Sequence, residues 1–151
     1  MRIISSSAQA LSPTSTQNLK QSEPEDLARG HPIRFLFTHR VLDASHGNLA
    51  LKLHWRHPDP SSRGAAQAAL GCVVDYAARL VARPFLGPCH LSEWELRTYR
   101  PSEASTLLVA VQIVAVHREC VTYHCDFHAL EKGRSVAMAD SQGTLLQGFD
   151  T

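Results

Sequence analysis

The chain has 151 residues, and its 15 lysines and arginines nearly balance its 14 aspartates and glutamates, giving a net charge of +1. This balance argues against a nucleic-acid-binding protein, because no basic face dominates. No apolar run approaches the length of a membrane span, so we expect no membrane association. A chain of 151 residues is long enough for one domain with its own hydrophobic core.

The first 30 residues are rich in Ser, Thr, Gln and Pro and carry few large apolar side chains. Such a segment buries too little surface to offset its ordering entropy, so residues 1–30 are predicted to be a flexible tail and residues 31–151 the domain. The N-terminus lacks the apolar region of a secretory signal, and the four cysteines show no CxxC spacing. Both observations favour a cytoplasmic protein with reduced thiols.

The domain pattern begins with "NLALKLHW" (48–55), which alternates as a half-buried strand does. A turn-rich stretch leads into an apolar helix over about residues 65–82, which Pro84 is expected to end. Four further strands with short connections are predicted after the helix, at residues 90–99, 105–117, 121–130 and 135–147.

This order predicts an α+β fold. Consecutive strands joined by short turns form an antiparallel sheet, and a helix that is apolar all round needs cover on every side. A curved antiparallel sheet of five to six strands wrapped around one central helix provides that cover, and this is the hotdog architecture.

A family resemblance points to the same fold. Residues 47–75 resemble a segment of hotdog acyl-CoA thioesterases related to the phenylacetate-pathway enzyme, within the 4-hydroxybenzoyl-CoA thioesterase superfamily. "SEWELRTYRP" (92–101) is similar to the next strand of that family, and "LEKGRSVAMADSQGTLL" (130–146) is similar to its closing hairpin. The resemblance implies hydrolysis of an acyl-CoA without a cofactor or metal. It also implies a homodimer or tetramer whose sheets join edge to edge and whose active sites are shared between subunits.

The helix carries the candidate chemistry. Gln67, Gly71, Asp75 and Arg79 follow one another at intervals of four residues and therefore form one stripe. Asp75, which matches the family's helix Asp, could act as general base or nucleophile, and Ser92 could hold the water. Amides near Gln67 and Ala68 at the helix start could bind the oxyanion, with Gln67 at the family's His or Gln position.

The predicted catalytic residues are therefore Asp75, Gln67 and Ser92. The predicted substrate-binding residues surround the helix start or lie at strand ends, and they are Ser61, Arg63, Gly64, Ala68, Gly71 and Arg100. Ser61 falls where the family has an Asn, and "AAQAA" (65–69) replaces the family's "HGG".

Each assignment has an ordinary structural alternative. Asp75 and Arg79 have the spacing of a helix ion pair, although burying such a pair costs several kcal/mol in desolvation. Gln67 could be a solvent-exposed residue at the helix start, and Ser92 could be an ordinary strand residue. We interpret Cys72 as a thiol of the hydrophobic core. The arginines at loops and strand ends, which could meet nucleotide phosphates, could equally be surface cations.

His124, Asp126 and His128 share one face of the alternating strand at 121–130, a spacing that could hold a metal. That face is the solvated one, so we interpret it as polar outer surface and predict no metal. "STLLVAVQIVAVH" (105–117) is apolar on both faces, which predicts a subunit contact in a dimer or tetramer.

Two functions compete with hydrolysis. The first is a non-catalytic protein that binds an acyl-CoA or aryl-CoA on the same fold, and the missing "HGG" favours it. The second is a hydratase, which usually places an Asp and a His together in a motif that this sequence lacks.

Overall fold

The computed structural model describes residues 29–56 and 63–148. Most of the predicted tail and of the turn before the helix therefore lies outside the described residues. Two helices are described, the short α1 (Ile33–Leu36) and the long α2 (Arg63–Leu86). Six strands accompany them: β1 (Phe37–Ser45), β2 (Asn48–Trp55), β3 (Cys89–Thr98), β4 (Thr106–Val116), β5 (Cys120–Glu131) and β6 (Arg134–Gln147).

The strands form one antiparallel sheet in the order β1-β2-β4-β5-β6-β3, with α2 packed against its inner face. This is the predicted hotdog fold. Along the chain, α2 and β3 lie between β2 and β4. Strand β3 pairs with β6, at the edge of the sheet opposite β1. Consequently β1 and β3 are the edge strands of the described sheet.

The alternating pattern of β5 shows which face of the sheet packs against the hydrophobic core. Val121, Tyr123, Cys125, Phe127 and Ala129 are all buried, whereas the residues between them are half-exposed. The tight connection from β5 to β6 is made by Lys132 and Gly133, which have φ angles of 50° and 77°. Positive φ at both central residues is typical of the turn that matches strand twist in a two-residue hairpin.

The sequence reading missed α1 and β1. Strand β1 is an edge strand whose residues are mostly exposed or half-exposed, and a register shift between Val41 and Asp43 interrupts its alternation. A bulge of this kind moves the following side chains to the other face, so no steady period of two is visible in "FTHRVLDAS".

The prediction that Pro84 ends the helix was wrong. Helix α2 continues through Pro84 to Leu86, and Gly87, with a φ of 67°, donates its N–H to the Arg83 carbonyl at 2.8 Å. A proline in the last turn removes only one backbone hydrogen bond, and the glycine then provides the left-handed residue that terminates the helix.

The expectation that α2 is covered on every side was also wrong for a single chain. One face of α2, including Val73, Ala77, Leu80 and Val81, is buried against the sheet. The opposite side keeps a partly exposed stripe, which we call the open stripe: Gln67, Ala68, Gly71, Cys72, Asp75, Arg79 and Arg83. Neither described helix is long and apolar enough to cross a membrane.

Candidate active site

Asp75 lies in the middle of the open stripe, and its side chain is 32% exposed. Its Oδ2 atom accepts two hydrogen bonds, one from Nε2 of His31 at 2.6 Å and one from Nη1 of Arg79 at 3.2 Å. No donor from the described residues bonds to Oδ1. The carboxylate is therefore fixed by hydrogen bonds to Oδ2, while Oδ1 accepts none from the described residues.

The tautomer of His31 follows from its second hydrogen bond. The backbone N–H of Ile33 donates to Nδ1 of His31 at 3.2 Å. A ring nitrogen that accepts a hydrogen bond carries no proton, so Nδ1 is the acceptor and Nε2–H is the donor that points to Asp75. The His31 side chain is 7% exposed, and its ring contacts Tyr76 with 5.7 Å between ring centroids.

These donors set the charge of Asp75. Burial alone would raise the pKa of Asp75, but the hydrogen bond from His31 and the charge and hydrogen bond of Arg79 together outweigh it and lower the pKa. Asp75 is thus ionised at neutral pH. An ionised carboxylate with one free oxygen is the state that a general base or a carboxylate nucleophile requires.

The edge strand β3 lies along the open stripe and runs antiparallel to α2. Near its start, the Cys89 thiol points to the Arg79 carbonyl at 3.9 Å, and further along Trp94 lies over Gly71. A Cβ atom at Gly71 would approach the Trp94 ring to 3.1 Å, so the small residue makes room for the indole. The Trp94 side chain remains 46% exposed. Because its ring lies over Gly71, it is positioned between the helix start and Asp75 along α2.

The helix begins earlier than predicted, and this changes the proposed oxyanion donors. Because α2 starts at Arg63, the amides of Gln67 and Ala68 lie in the second turn, where helical geometry pairs them with carbonyls four residues earlier. Within the helix, the amides without an intrahelical partner are those of residues 63–65. Gln67 and Ala68 themselves are exposed on the open stripe.

The structure does not bring Ser92 into hydrogen-bond contact with Asp75. Ser92 is exposed and lies at a register shift of β3 between Leu91 and Glu93. Among the described side chains, the bonds of Asp75 go only to His31 and Arg79.

Among the predicted substrate-binding residues that the structure describes, Ala68 and Gly71 lie on the open stripe. Arg63 and Gly64 belong to the first turn of α2, and Ser61 lies outside the described residues. Arg100 follows β3 and forms an ion pair with Glu131 at 3.1 Å.

Cys72 lies one turn before Asp75 but is poorly suited to nucleophilic attack. Burial, and then the charge of Asp75, raise the pKa of the Cys72 thiol, so little thiolate forms at neutral pH. No histidine in the described residues bonds to it, and all four cysteines are free thiols.

The outer face of the sheet holds a second polar cluster. His124 and Asp126 bond to each other at 3.1 Å, whereas His128 bonds to Ser135 instead. The third group near this pair is Asp140, which the sequence reading did not single out. The three ligand atoms lie within 4.8 Å of one another, and both oxygens of Asp140 accept hydrogen bonds from Arg97 at 3.0 Å.

His31 is the residue of the candidate site that sequence reasoning missed. It stands beside the predicted tail boundary, 44 positions before Asp75, and no motif spacing links the two. Only the packing of the α1 segment on α2 brings them together.

Several solved structures of proteins described as thioesterases share this fold. No family model and no curated protein matches the sequence. The solved structures that it resembles include PaaI of Escherichia coli, from the phenylacetic acid degradation operon, at 12% identity and a TM-score of 0.66 over 90% of this chain and 98% of that one. Mouse thioesterase superfamily member 2 aligns at 14% identity and a TM-score of 0.64, over 91% of this chain and 100% of that one.

A third structure of the same fold was solved with a ligand. It is a hypothetical thioesterase from Streptococcus pneumoniae with coenzyme A, at 13% identity and a TM-score of 0.64 over 84% of this chain and 98% of that one. At these identities the similarity establishes a shared fold.

Proposed function

We propose that this protein hydrolyses an acyl-CoA, or a related acyl thioester, to the free acid and the thiol. The observation that carries the proposal is the Asp75 carboxylate, which is ionised, fixed through Oδ2 and open through Oδ1. It lies on the open stripe of a fold whose similar structures include thioesterases and one with coenzyme A.

Asp75 can act in either of two ways. As a general base, Oδ1 takes a proton from water while the water oxygen attacks the thioester carbonyl carbon. The tetrahedral oxyanion then collapses, the C–S bond breaks, and the thiolate receives the proton from Asp75. As a nucleophile, Oδ1 attacks the carbonyl carbon and expels the thiolate, and water then hydrolyses the resulting anhydride.

The oxyanion donors for this site belong to a second copy of the chain. Gln67 and Asp75 are eight residues apart on α2, and the unpaired amides of residues 63–65 are further still, so at least about 12 Å separates all of these groups from Asp75. A single carbonyl group cannot contact both within one chain. We therefore propose a homodimer, or a tetramer built from it, in which β3 edges pair and each helix start faces the partner's Asp75.

The same arrangement gives the predicted binding residues a role. Arg63 and Gly64 at the helix start, with Ser61 just before them in the sequence and Arg100 beyond β3, would bind the phosphates and the thioester carbonyl of the substrate. Gln67 and Ser92, both exposed, would meet the substrate in the dimer rather than contact Asp75 within one chain. No metal and no cofactor is part of this scheme.

A non-catalytic acyl-CoA-binding protein is the second candidate. The absence of "HGG" at "AAQAA" favours it, because the paired glycines that let a substrate approach the helix start are missing. The experiment that separates the two is a panel of short-chain, long-chain and aryl acyl-CoAs, with released thiol detected by a thiol reagent and melting temperature measured in parallel. Turnover that Asp75→Asn abolishes supports hydrolysis, whereas thermal stabilisation without turnover supports binding alone.

A further inference from the structure

We propose that His31 is a positioning residue for Asp75, holding Oδ2 so that Oδ1 points to the attacked carbonyl or to the attacking water. This inference rests on the proposed hydrolytic function. His31 does not itself exchange protons with the substrate, because Nδ1 is occupied by the Ile33 amide and Nε2 by Asp75.

The contact has the geometry of a strong, fixed hydrogen bond. At 2.6 Å it is at the short end for a nitrogen donor and a carboxylate, as expected for a charge-assisted bond. The ring cannot turn away without cost. It is buried, it accepts the Ile33 amide at 3.2 Å, and it packs against Tyr76. A donor restrained in this way fixes the torsion angle of the carboxylate.

Arg79 alone does not provide the same restraint. Its side chain is 34% exposed, it lies on the same helix as Asp75, and it reaches Oδ2 at 3.2 Å. A long and partly solvated side chain at this spacing contributes little stabilisation and little orientation. His31 approaches from a different segment and meets Oδ2 from a second direction, so only the two donors together leave Oδ1 as the open oxygen.

The groups around Asp75 predict how its titration responds. Within α2 these are Arg79 and the Cys72 thiol, and from the segment before α1 His31. From the sheet, Cys89 on β3 and Tyr123 on β5 also sense its charge. His31 lowers the pKa of Asp75 mainly through its hydrogen bond and to a smaller extent through charge, so the loss of His31 raises the pKa of Asp75 while Arg79 stays in place.

The test compares His31→Phe, which keeps a ring but removes both nitrogens, with His31→Gln, whose amide N–H can replace Nε2–H. The matched control is His39→Phe, since His39 also packs against Tyr76 but bonds to its hydroxyl at 3.1 Å rather than to Asp75. In the wild type and each variant, kcat, KM and the pH profile are measured, and the Asp75 carboxyl is titrated by carbon NMR.

We expect His31→Phe to lower kcat about 10- to 100-fold with KM within a factor of about two, because misplacing a reacting group costs rate more than binding. The acid limb of its pH profile and the NMR titration of Asp75 both move to higher pH. His31→Gln recovers most of kcat, and His39→Phe keeps the wild-type acid limb.

Normal kcat in folded His31→Phe, with an unmoved acid limb, overturns the positioning role and leaves the proposed hydrolysis intact. Equal losses in His31→Phe and His39→Phe with no shift in the titration of Asp75 overturn it too, since they indicate a packing role. A wild type without turnover on any acyl thioester defeats the proposed function and the positioning role with it. Should His31→Phe fail to fold, His31→Gln carries the test, and a fall in its kcat as large as that of Asp75→Asn contradicts the inference.

Discussion

Replacing Asp75 with Asn separates chemistry from ion pairing at the centre of the open stripe. The substitution keeps the shape of the side chain and removes its charge and its capacity to accept a proton. If Asp75 is the base or nucleophile, turnover falls by about two orders of magnitude or more, the size typical of a lost general base. If Asp75 only pairs with its neighbours, activity falls no further than the amount of folded protein.

The structural cost of this substitution is small enough to keep the two outcomes apart. Arg79 is 34% exposed and can be solvated without its partner, so losing an i,i+4 pair costs about 0.5 kcal/mol. His31 keeps an acceptor in the Asn carbonyl oxygen, and exchanging a charged for a neutral acceptor costs about 1 kcal/mol. A loss of about 1.5 kcal/mol lowers Tm by roughly 5 °C and leaves a domain of ordinary stability folded.

The assay therefore measures Tm and turnover on the same preparation of Asp75→Asn, with Arg79→Gln as the matched control. The control removes the ion pair but leaves the carboxylate and its bond to His31. A large loss of turnover in Asp75→Asn, beside a modest loss in Arg79→Gln, supports the catalytic role. Asp75→Asn protein that hydrolyses thioesters at the normal rate per folded molecule would refute it.

Four further outcomes are expected. Burial raises the pKa of Asp75, but the His31 and Arg79 contacts outweigh it and bring this pKa below the ordinary value of 3.8. The ionised Asp75 therefore stabilises the folded protein fully above pH 3.8, and this stabilisation is lost as the pH falls through the pKa of Asp75 in the folded state. Acid titration of unfolding free energy should therefore bring wild type and Asp75→Asn together at low pH; curves that stay parallel would contradict this sign. Gly143→Ala should lower stability by about 2 kcal/mol or more, because its Cβ would lie 2.7 Å from the Trp94 Cβ and closer still to the Glu93 carbonyl, whereas Gly30→Ala meets nothing within 4 Å and should leave chemical denaturation unchanged. Light scattering at micromolar concentration should show a dimer or tetramer, and a monomer that still hydrolyses thioesters would exclude a shared site. Deleting residues 1–22 should leave Tm and turnover nearly unchanged, and a large fall in Tm would show that this segment packs on the domain.

Local pattern was sufficient for the parts of the fold that have a clean period. The buried alternation of β5, the strand at Asn48–Trp55 and the long apolar helix were all predicted within a few residues, because each repeats one spacing against one core. The order of these elements then left few ways to cover the helix, and the antiparallel hotdog sheet was among them. Pattern failed at β1, where the bulge between Val41 and Asp43 breaks the period, and at Pro84, which the last turn of α2 accommodates.

In the candidate site, too, some features follow from local sequence spacing and others depend on tertiary packing. The sequence by itself determined that Asp75 lies on a stripe with Gln67, Gly71 and Arg79, since helix spacing alone dictates which residues share a face. Only the tertiary structure decided that this stripe is open rather than buried, that Trp94 crosses it over Gly71, and that His31 donates to Asp75. The physical reason is distance along the chain. A contact across 44 residues depends on how separate elements pack, and no local propensity or spacing encodes it.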